Sequence, residues 1–337
     1  MAVKNKSSKG NKLVTALICV GVVGAACVGL LAARFVSGRS IFDMTRQSVT
    51  ENIQPTQIEE QEQVQEQEQE HVQEREPTEY YTGIDNDRMY FLDENGTYIP
   101  HYEAVEENTL DPELFYTKDG KVYYNSEKAR YGVDVSSHQE KIDWAAVKAA
   151  GMDFVMLRAG YRGYGEAGSL NPDEMFIENV KGAIEAGIDV GAYFFSQAIT
   201  VQEAIEEAEF VLDMIKDLNI TYPIAFDWEE ITNDTARTDD VTSGELTAFA
   251  RAFCDTVSAA GHIPAVYLNV DQGYMKYDLE VLDPYELWIA SYKDKPDFYY
   301  GFDMWQYSSD GSVEGINWTA DLNISFKDYS ETDKTEE

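Results

Sequence analysis

The sequence predicts an α/β protein. Its main body is an irregular TIM-like (β/α) barrel with fewer helices in the C-terminal part, preceded by a transmembrane helix, an acidic stalk and a small β-rich segment. Three observations carry this. From Tyr131 onward, apolar strand-like runs alternate with helical patterns, and repeated β-α units imply a mainly parallel sheet. Near the N-terminus lies an uncharged apolar run of the length that spans a bilayer. Between the two, the chain is dominated by Gln and Glu and keeps no apolar stripe.

Residues 1–12 form a basic tail carrying Lys4, Lys6, Lys9 and Lys12, and residues 13–35 the anchor. Leu13 to Ala33 carries no charge, and flanking lysines favour the cytoplasmic side. A cleaved signal peptide has a shorter apolar core, roughly 7–15 residues, so the run predicts an uncleaved single-pass anchor with the remainder of the chain outside. Secretion after signal cleavage is the alternative. Residues 36–78 read as an extended, like-charged stalk, because Ile53, Ile58, Val64 and Val72 are too few to offset ordering entropy.

Residues 79–130 change character, with tyrosines and phenylalanines set between turn signals. Phe115 to Asn125 has the pattern of a hairpin closed by Asp119-Gly120. Aromatic faces stack on sugars, so a sugar-binding appendage is one reading; a β adornment packed against the next domain is the other, and the more usual.

Residues 131–330 hold the barrel, and 331–337 an acidic tail. The expected strands are YGVDVS, DFVMLRAG, IDVGAYFFS, PIAFDWE, IPAVYLN, ELWIASY and FDMWQYS, with a last strand near Asp321 closing the barrel. Helical patterns cover Asp143–Ala150, Pro172–Ala186, Val201–Leu218 and Ser243–Ala260, and Gly151, Gly187 and Gly261 sit where helix C-caps belong. An open doubly wound sheet is the competing fold, but no Gly-rich nucleotide loop follows the first strand.

Composition narrows the chemistry. With 62 acidic against 26 basic residues and a net charge of −36, the chain repels phosphate backbones, which argues against nucleic acid. Cys19, Cys27 and Cys254 cannot build a disulfide framework. The four histidines are His71, His101, His138 and His262, and only His138 lies where a barrel site is expected, which disfavours a zinc centre. There is no G-x-S-x-G elbow, P-loop or H-E-x-x-H. No metal or cofactor is expected, and carboxylates are the reactive groups left.

Barrel active sites lie at the C-terminal ends of the strands. The acids there are Asp134, then Asp227 with Glu229, and Asp321 near the closing strand. Asp227 and Glu229 are two apart on one strand, roughly 6.6 Å along the backbone, and so share a face with Ala225 behind them. Ile224, Phe226 and Trp228 face the opposite way. Two carboxylates on one wall suit acid-catalysed cleavage of a glycosidic bond, although an isolated D-x-E is more often a solvated pair. Tyr193, Tyr267, Asn269, Tyr292, Trp305, Gln306 and Tyr307 are candidates to line a saccharide groove. Arg158 ends a strand at the same rim, placed to hold a carboxylate or to contact substrate.

YGVDVSSHQ with IDW, FVMLRAGYRG, GAYFFSQA, PIAFDWE and FDMWQYSSDGSVEGI with ADLN occur in an order and spacing that resembles the glycoside hydrolase family 25 muramidases (lysozymes), from Tyr131 to about Tyr329. The resemblance implies an irregular β/α barrel that cleaves the β-1,4 bond between N-acetylmuramic acid and N-acetylglucosamine in peptidoglycan. It matches Asp134, Asp227, Glu229 and Asp321 to the family's active-site acids. Glu140 departs from the pattern, since many relatives have Gly there; altered rim shape is expected and unaltered chemistry.

The expected roles follow. Glu229 is the general acid and then the base. Clustered carboxylates disfavour joint ionisation, which raises the pKa of one and is expected to keep Glu229 protonated while Asp227 stays charged. The resemblance implies that Asp227 assists the substrate's own N-acetyl group as nucleophile, and a direct inverting displacement stays open. A wall-glycan-binding surface protein without turnover, or a structural surface protein acting through stalk and appendage, are the competing functions.

Overall fold

The computed structural model describes residues 90–92 and 97–329. The expected anchor at 13–35, the stalk at 36–78 and the tail at 331–337 lie outside these. Among the described residues no helix is long and apolar enough to cross a membrane.

The strands are β1 (Tyr90–Leu92), β2 (Tyr98–Pro100), β3 (Phe115–Lys118), β4 (Lys121–Tyr124), β5 (Arg130–Val135), β6 (Phe154–Arg162), β7 (Leu170–Pro172), β8 (Asp189–Ser196), β9 (Ile224–Trp228), β10 (Pro264–Asn269), β11 (Glu286–Ala290), β12 (Met304–Gly311) and β13 (Ala320–Ser325). The helices are α1 (Trp144–Ala149), α2 (Phe176–Glu185), α3 (Val201–Ile215), α4 (Ser243–Ala259), α5 (Val270–Met275) and α6 (Leu279–Leu282).

One sheet runs β5-β13-β12-β11-β10-β9-β8-β6 and closes through a β5–β6 pairing, so eight strands make a barrel, with β7 hanging from β6. Pairing is parallel from β5 through β6, β8, β9, β10 and β11 to β12. The final strand, β13, is antiparallel to both its neighbours. Its start therefore lies at the rim where the other strands end, which brings Asp321 level with Asp134.

Alternation along each strand sorts side chains into two layers. Phe154, Met156, Ala225, Ala265, Tyr267, Trp288 and Met304 fill the barrel. Val155, Leu157, Ile224, Phe226, Trp228, Val266 and Ile289 point outward into the layer beneath the helices. The outward set on β9 is the predicted one. Phe154 stacks on Tyr222 at 4.5 Å and Tyr329 meets Tyr222 edge-on at 5.0 Å, plugging the base of the barrel. Gly132 faces inward, where a Cβ would lie 2.6 Å from the Phe154 carbonyl oxygen, so the plug requires glycine there.

Polar side chains cap most of the helices, α2 excepted. Asp143 accepts from the Ala146 amide, Thr200 from that of Glu203, and Thr242 and Glu245 form a capping box. Gly151, Gly187 and Gly261 follow helix ends with φ of 90°, 73° and 85°, the left-handed conformation expected of them. One boundary differs from expectation. The pattern over Pro172–Ala186 yields a helix only from Phe176, because Leu170–Pro172 pairs antiparallel with β6 instead.

Helices thin out after β10, as predicted, leaving the outer faces of β12 and β13 without a helical cover. The 97–126 segment supplies one. Phe115 packs on Trp305 at 5.6 Å and on Phe326 at 6.1 Å. The Tyr102 hydroxyl donates to the Tyr277 carbonyl, and the Asn108 amide to that of Tyr299. The β3–β4 hairpin turns at Asp119-Gly120, with φ of 52° and 76°, as the Asp-Gly signal predicts.

Candidate active site

The four candidate acids converge on one mouth. Asp134 is the penultimate residue of β5 and Asp321 the second of β13, and the two are register partners across the antiparallel pair. Asp227 is the penultimate residue of β9, and Glu229 lies one residue past its end. Asp134 and Asp227 are buried, at 7% and 4% exposure, whereas Glu229 is exposed at the lip.

Side-chain amides wire the acids together. Gln306 Nε2 donates to Asp134 Oδ2 at 2.8 Å and to Asp321 Oδ2 at 3.2 Å. Its Oε1 accepts from the hydroxyls of Tyr267 and Tyr292, both at 2.9 Å. Asn323 Nδ2 donates to the same Asp134 oxygen at 2.8 Å, and its Oδ1 accepts from Trp288 Nε1 at 2.9 Å. Both amides are thereby held in one orientation, donors turned to the carboxylates.

Burial raises every one of these carboxyls, and neighbouring charges add to the rise at Asp134, Asp227 and Asp321. Asp134 is pushed up to about 8, by burial first and then by the charge of Asp321, against the lowering pull of the Asn323 and Gln306 hydrogen bonds. Asp321 rises to about 6 through burial and Glu229. Asp227 is lifted well above the carboxylate range by burial, then Glu229 and Asp134, with Arg158 opposing. Burial also raises Glu229, which despite its exposure keeps part of its carboxyl inside the mouth. Burial thus raises both Asp227 and Glu229, the two groups that the sequence expectation assigns opposite charge states. Asp227 is the deeper group, and its Oδ1 is buried with no hydrogen-bond partner.

Arg158 points into the barrel from β6 and is the cation that opposes the rise at Asp227. Asp173 holds it, accepting from Nε at 3.0 Å and Nη2 at 2.9 Å, while Nη2 also donates to Ser137 Oγ. Tyr193 stands among the acids, its hydroxyl driven well up by burial and by Asp134.

Not all predicted lining residues reach the mouth. Trp305 is fully buried on the outer face, its Nε1 donating to the Ser291 carbonyl, and Tyr307 points the same way against it. Gln306 faces inward, so its neighbours on β12 face out. Asn269 is exposed at the end of β10, but its Oδ1 caps α5 through the Gln272 amide. His138 is exposed in a short turn after β5. Sequence reasoning missed Asn323, which the two-residue period from Asp321 would have flagged. It also missed Asp173, hidden where a helix was expected. A groove of about 870 Å³ lined by Trp144, Gly182 and Gly315 lies on the outer surface, apart from the acids.

Comparison with known proteins agrees with this architecture. The autolytic lysozyme of Clostridium acetobutylicum is 29% identical over 194 residues, 57% of this chain and 54% of that protein, so the chain spans about half the length of that relative. Lysozyme M1 of Streptomyces globisporus is 39% identical over 66 residues, 20% of each chain. Among solved structures, the modular autolysin LytC from Streptococcus pneumoniae shares the fold with a TM-score of 0.51 at 24% identity, covering 72% of this chain and 57% of that one. The spore cortex lytic enzyme SleM of Clostridium perfringens does so with a TM-score of 0.52 at 22% identity, covering 60% and 69%. The model of the glycosyl hydrolases family 25 matches residues 133–316, more than half of the chain, from within β5 to the loop before β13. With the closed barrel and four acids at its mouth, this match makes the chain a member of glycosyl hydrolases family 25.

Proposed function

We propose that this protein is a muramidase that cleaves the β-1,4 bond between N-acetylmuramic acid and N-acetylglucosamine in peptidoglycan. The observation that carries the reading is the convergence of Asp134, Asp227, Glu229 and Asp321 on one mouth, where burial and mutual repulsion keep protons available. Membership of the family supports it. So do relatives described as lysozymes and the solved complex of LytC with a synthetic peptidoglycan ligand.

Glu229, at the lip and open to solvent, gives its proton to the glycosidic oxygen as the C1–O bond breaks. The substrate's N-acetyl carbonyl oxygen attacks C1 and forms a cyclic cation. Water, deprotonated by Glu229, then opens that ring. The unpartnered Asp227 Oδ1 is the acceptor that the N-acetyl N–H meets, and this hydrogen bond favours ionised Asp227. Substrate binding would thus oppose the rise that burial imposes on Asp227 in the free protein. Asp134 and Asp321, tied by Gln306, set the field at the anomeric carbon without reacting. Arg158, Tyr193, Tyr267 and Tyr292 contact the sugar.

The test is to incubate the full chain with purified peptidoglycan and measure new reducing ends. Release that is lost in Glu229→Gln is expected. No release by the wild type, or equal release by the variant, overturns the reading, and glycan retained without turnover would mark a wall-binding protein instead.

The N-terminal sequence supports a membrane-anchored form with the barrel outside the cell, since an apolar run of spanning length follows four lysines. Alkaline extraction should leave the protein in the membrane, and external protease should remove the barrel from intact cells. Protein recovered from the medium would show signal cleavage.

A further inference from the structure

The acid at position 229 stands on backbone that the sheet no longer holds. The β9–β10 pairing ends at Asp227 and the β8–β9 pairing at Trp228. The carbonyls of Trp228 and Glu229 therefore run past the ladder, where buried backbone oxygens need other donors. Two glutamines from opposite sides supply them. Gln272 Nε2, in the first turn of α5, donates to the Trp228 carbonyl at 3.2 Å. Gln197 Nε2, one residue past β8, donates to the Glu229 carbonyl at 3.0 Å.

Neither amide is free to turn. Gln272 Oε1 accepts the Asn269 amide at 2.8 Å, and Gln197 Oε1 accepts the Thr238 hydroxyl at 2.8 Å. Gln197 is fully buried, Thr238 is 4% exposed and Gln272 8%, so water does not replace these bonds. Thr238 belongs to the loop that leaves the active-site strand, and Arg237 beside it is fixed by its amide to the Tyr164 carbonyl and by its guanidinium to Glu203. The loop, the glutamine and the acid thus form one chain of fixed hydrogen bonds.

We propose that Gln197 and Gln272 clamp the end of β9 and so position Glu229 for proton transfer, with Thr238 acting through Gln197. The inference rests on the reading of Glu229 as the general acid. Among the described residues no hydrogen bond or ion pair holds the Glu229 side chain, so the backbone that carries it sets much of its direction. A misplacement of about 1 Å can lower the rate about 100-fold. The clamp aims the acid without occupying the sugar site.

The test uses the full chain, a soluble peptidoglycan glycan strand, and the variants Gln197→Met, Thr238→Val and both together. Gln197→Met keeps length and loses the donor; Thr238→Val keeps shape and loses the hydroxyl. The expected result is a kcat lowered about 10- to 100-fold in Gln197→Met with KM changed less than about 2-fold, both measured well below the melting temperature. Thr238→Val should lower kcat by at least about 3-fold, and the double variant should be no worse than Gln197→Met alone, because the threonine acts through the glutamine. A wild-type kcat in Gln197→Met, or additive losses in the double variant, overturns the clamp. Should Gln197→Met fail to fold, a wild-type kcat in Thr238→Val overturns it alone. An inactive wild type would instead defeat the muramidase reading, and the two failures are thereby distinct.

Discussion

Asp134 and Asp321 face each other across the β5–β13 pair, and a single amide nitrogen, Gln306 Nε2, touches both. Two carboxylates sharing one donor are held close while their charges repel. A hydrogen bond to the ionised form lowers a carboxyl pKa, so removing the donor raises it. Gln306→Leu should therefore move Asp134 above its value of about 8 and Asp321 above about 6, read as upward shifts of both carboxyl resonances in an NMR titration. Activity should fall about 10-fold or more, since the Tyr267 and Tyr292 hydroxyls lose their acceptor as well. Unmoved titrations would show that Gln306 does not tune the acids.

Stability should fall as pH rises from about 4 to about 8. Asp134 has a folded pKa of about 8, above its unfolded value of about 3.9, so the folded state binds the extra proton between them. That contribution is complete below the unfolded pKa and is lost as pH climbs through the folded one. Asp227, also raised, adds in the same direction. Relief of overall anionic repulsion at low pH acts in parallel, and Asp134→Asn separates the two. The variant should be more stable than wild type at pH 8.5, and its melting temperature should vary less between pH 5 and pH 8.5. Equal slopes in both proteins would contradict a proton on buried Asp134.

Glu140 is the departure from the family pattern that the structure makes physical. It sits at φ 55° and ψ −135°, backbone that glycine adopts freely and other residues only under strain. Such strain amounts to about 1–3 kcal/mol, partly offset by the greater unfolded freedom of glycine, about 0.5–1 kcal/mol. Glu140→Gly should raise the melting temperature by about 2–4 °C, with kcat unchanged. Calorimetry checks it.

Phe115 tests what the segment before the barrel is for. It is buried against Trp305 and Phe326. Phe115→Ala should destabilise the protein by about 3–5 kcal/mol, measured by urea unfolding, and leave glycan affinity of the folded enzyme unchanged. Lost affinity with full stability would restore the sugar-binding reading of this segment.

The same packing explains what was legible in the sequence. Asp134, Asp227, Glu229 and Asp321 could be placed because the two-residue period and the barrel rule together say where strand-end acids point. That period also contained the error at Trp305, since Gln306 and Trp305 are neighbours on one strand and cannot both face the mouth. The outer face there needed an aromatic because no helix covers it, and only the fold shows that residues 97–126 do. Asp173 and Gln197 could not be read, because their roles depend on partners at Arg158 and Thr238, distant in sequence and close only in space.

The reversed last strand also decides where the chain comes and goes. Because β13 runs down while its neighbours run up, Arg130 at the start of β5 and Ser325 at the end of β13 are register partners at the base, and Arg130 is paired with Asp328 just beyond. The polypeptide is led into the barrel and out of it on the side opposite the mouth. On the proposed reading, a long glycan strand lies across the mouth without meeting either end of the barrel's chain, and a module fused after Tyr329 leaves from the base.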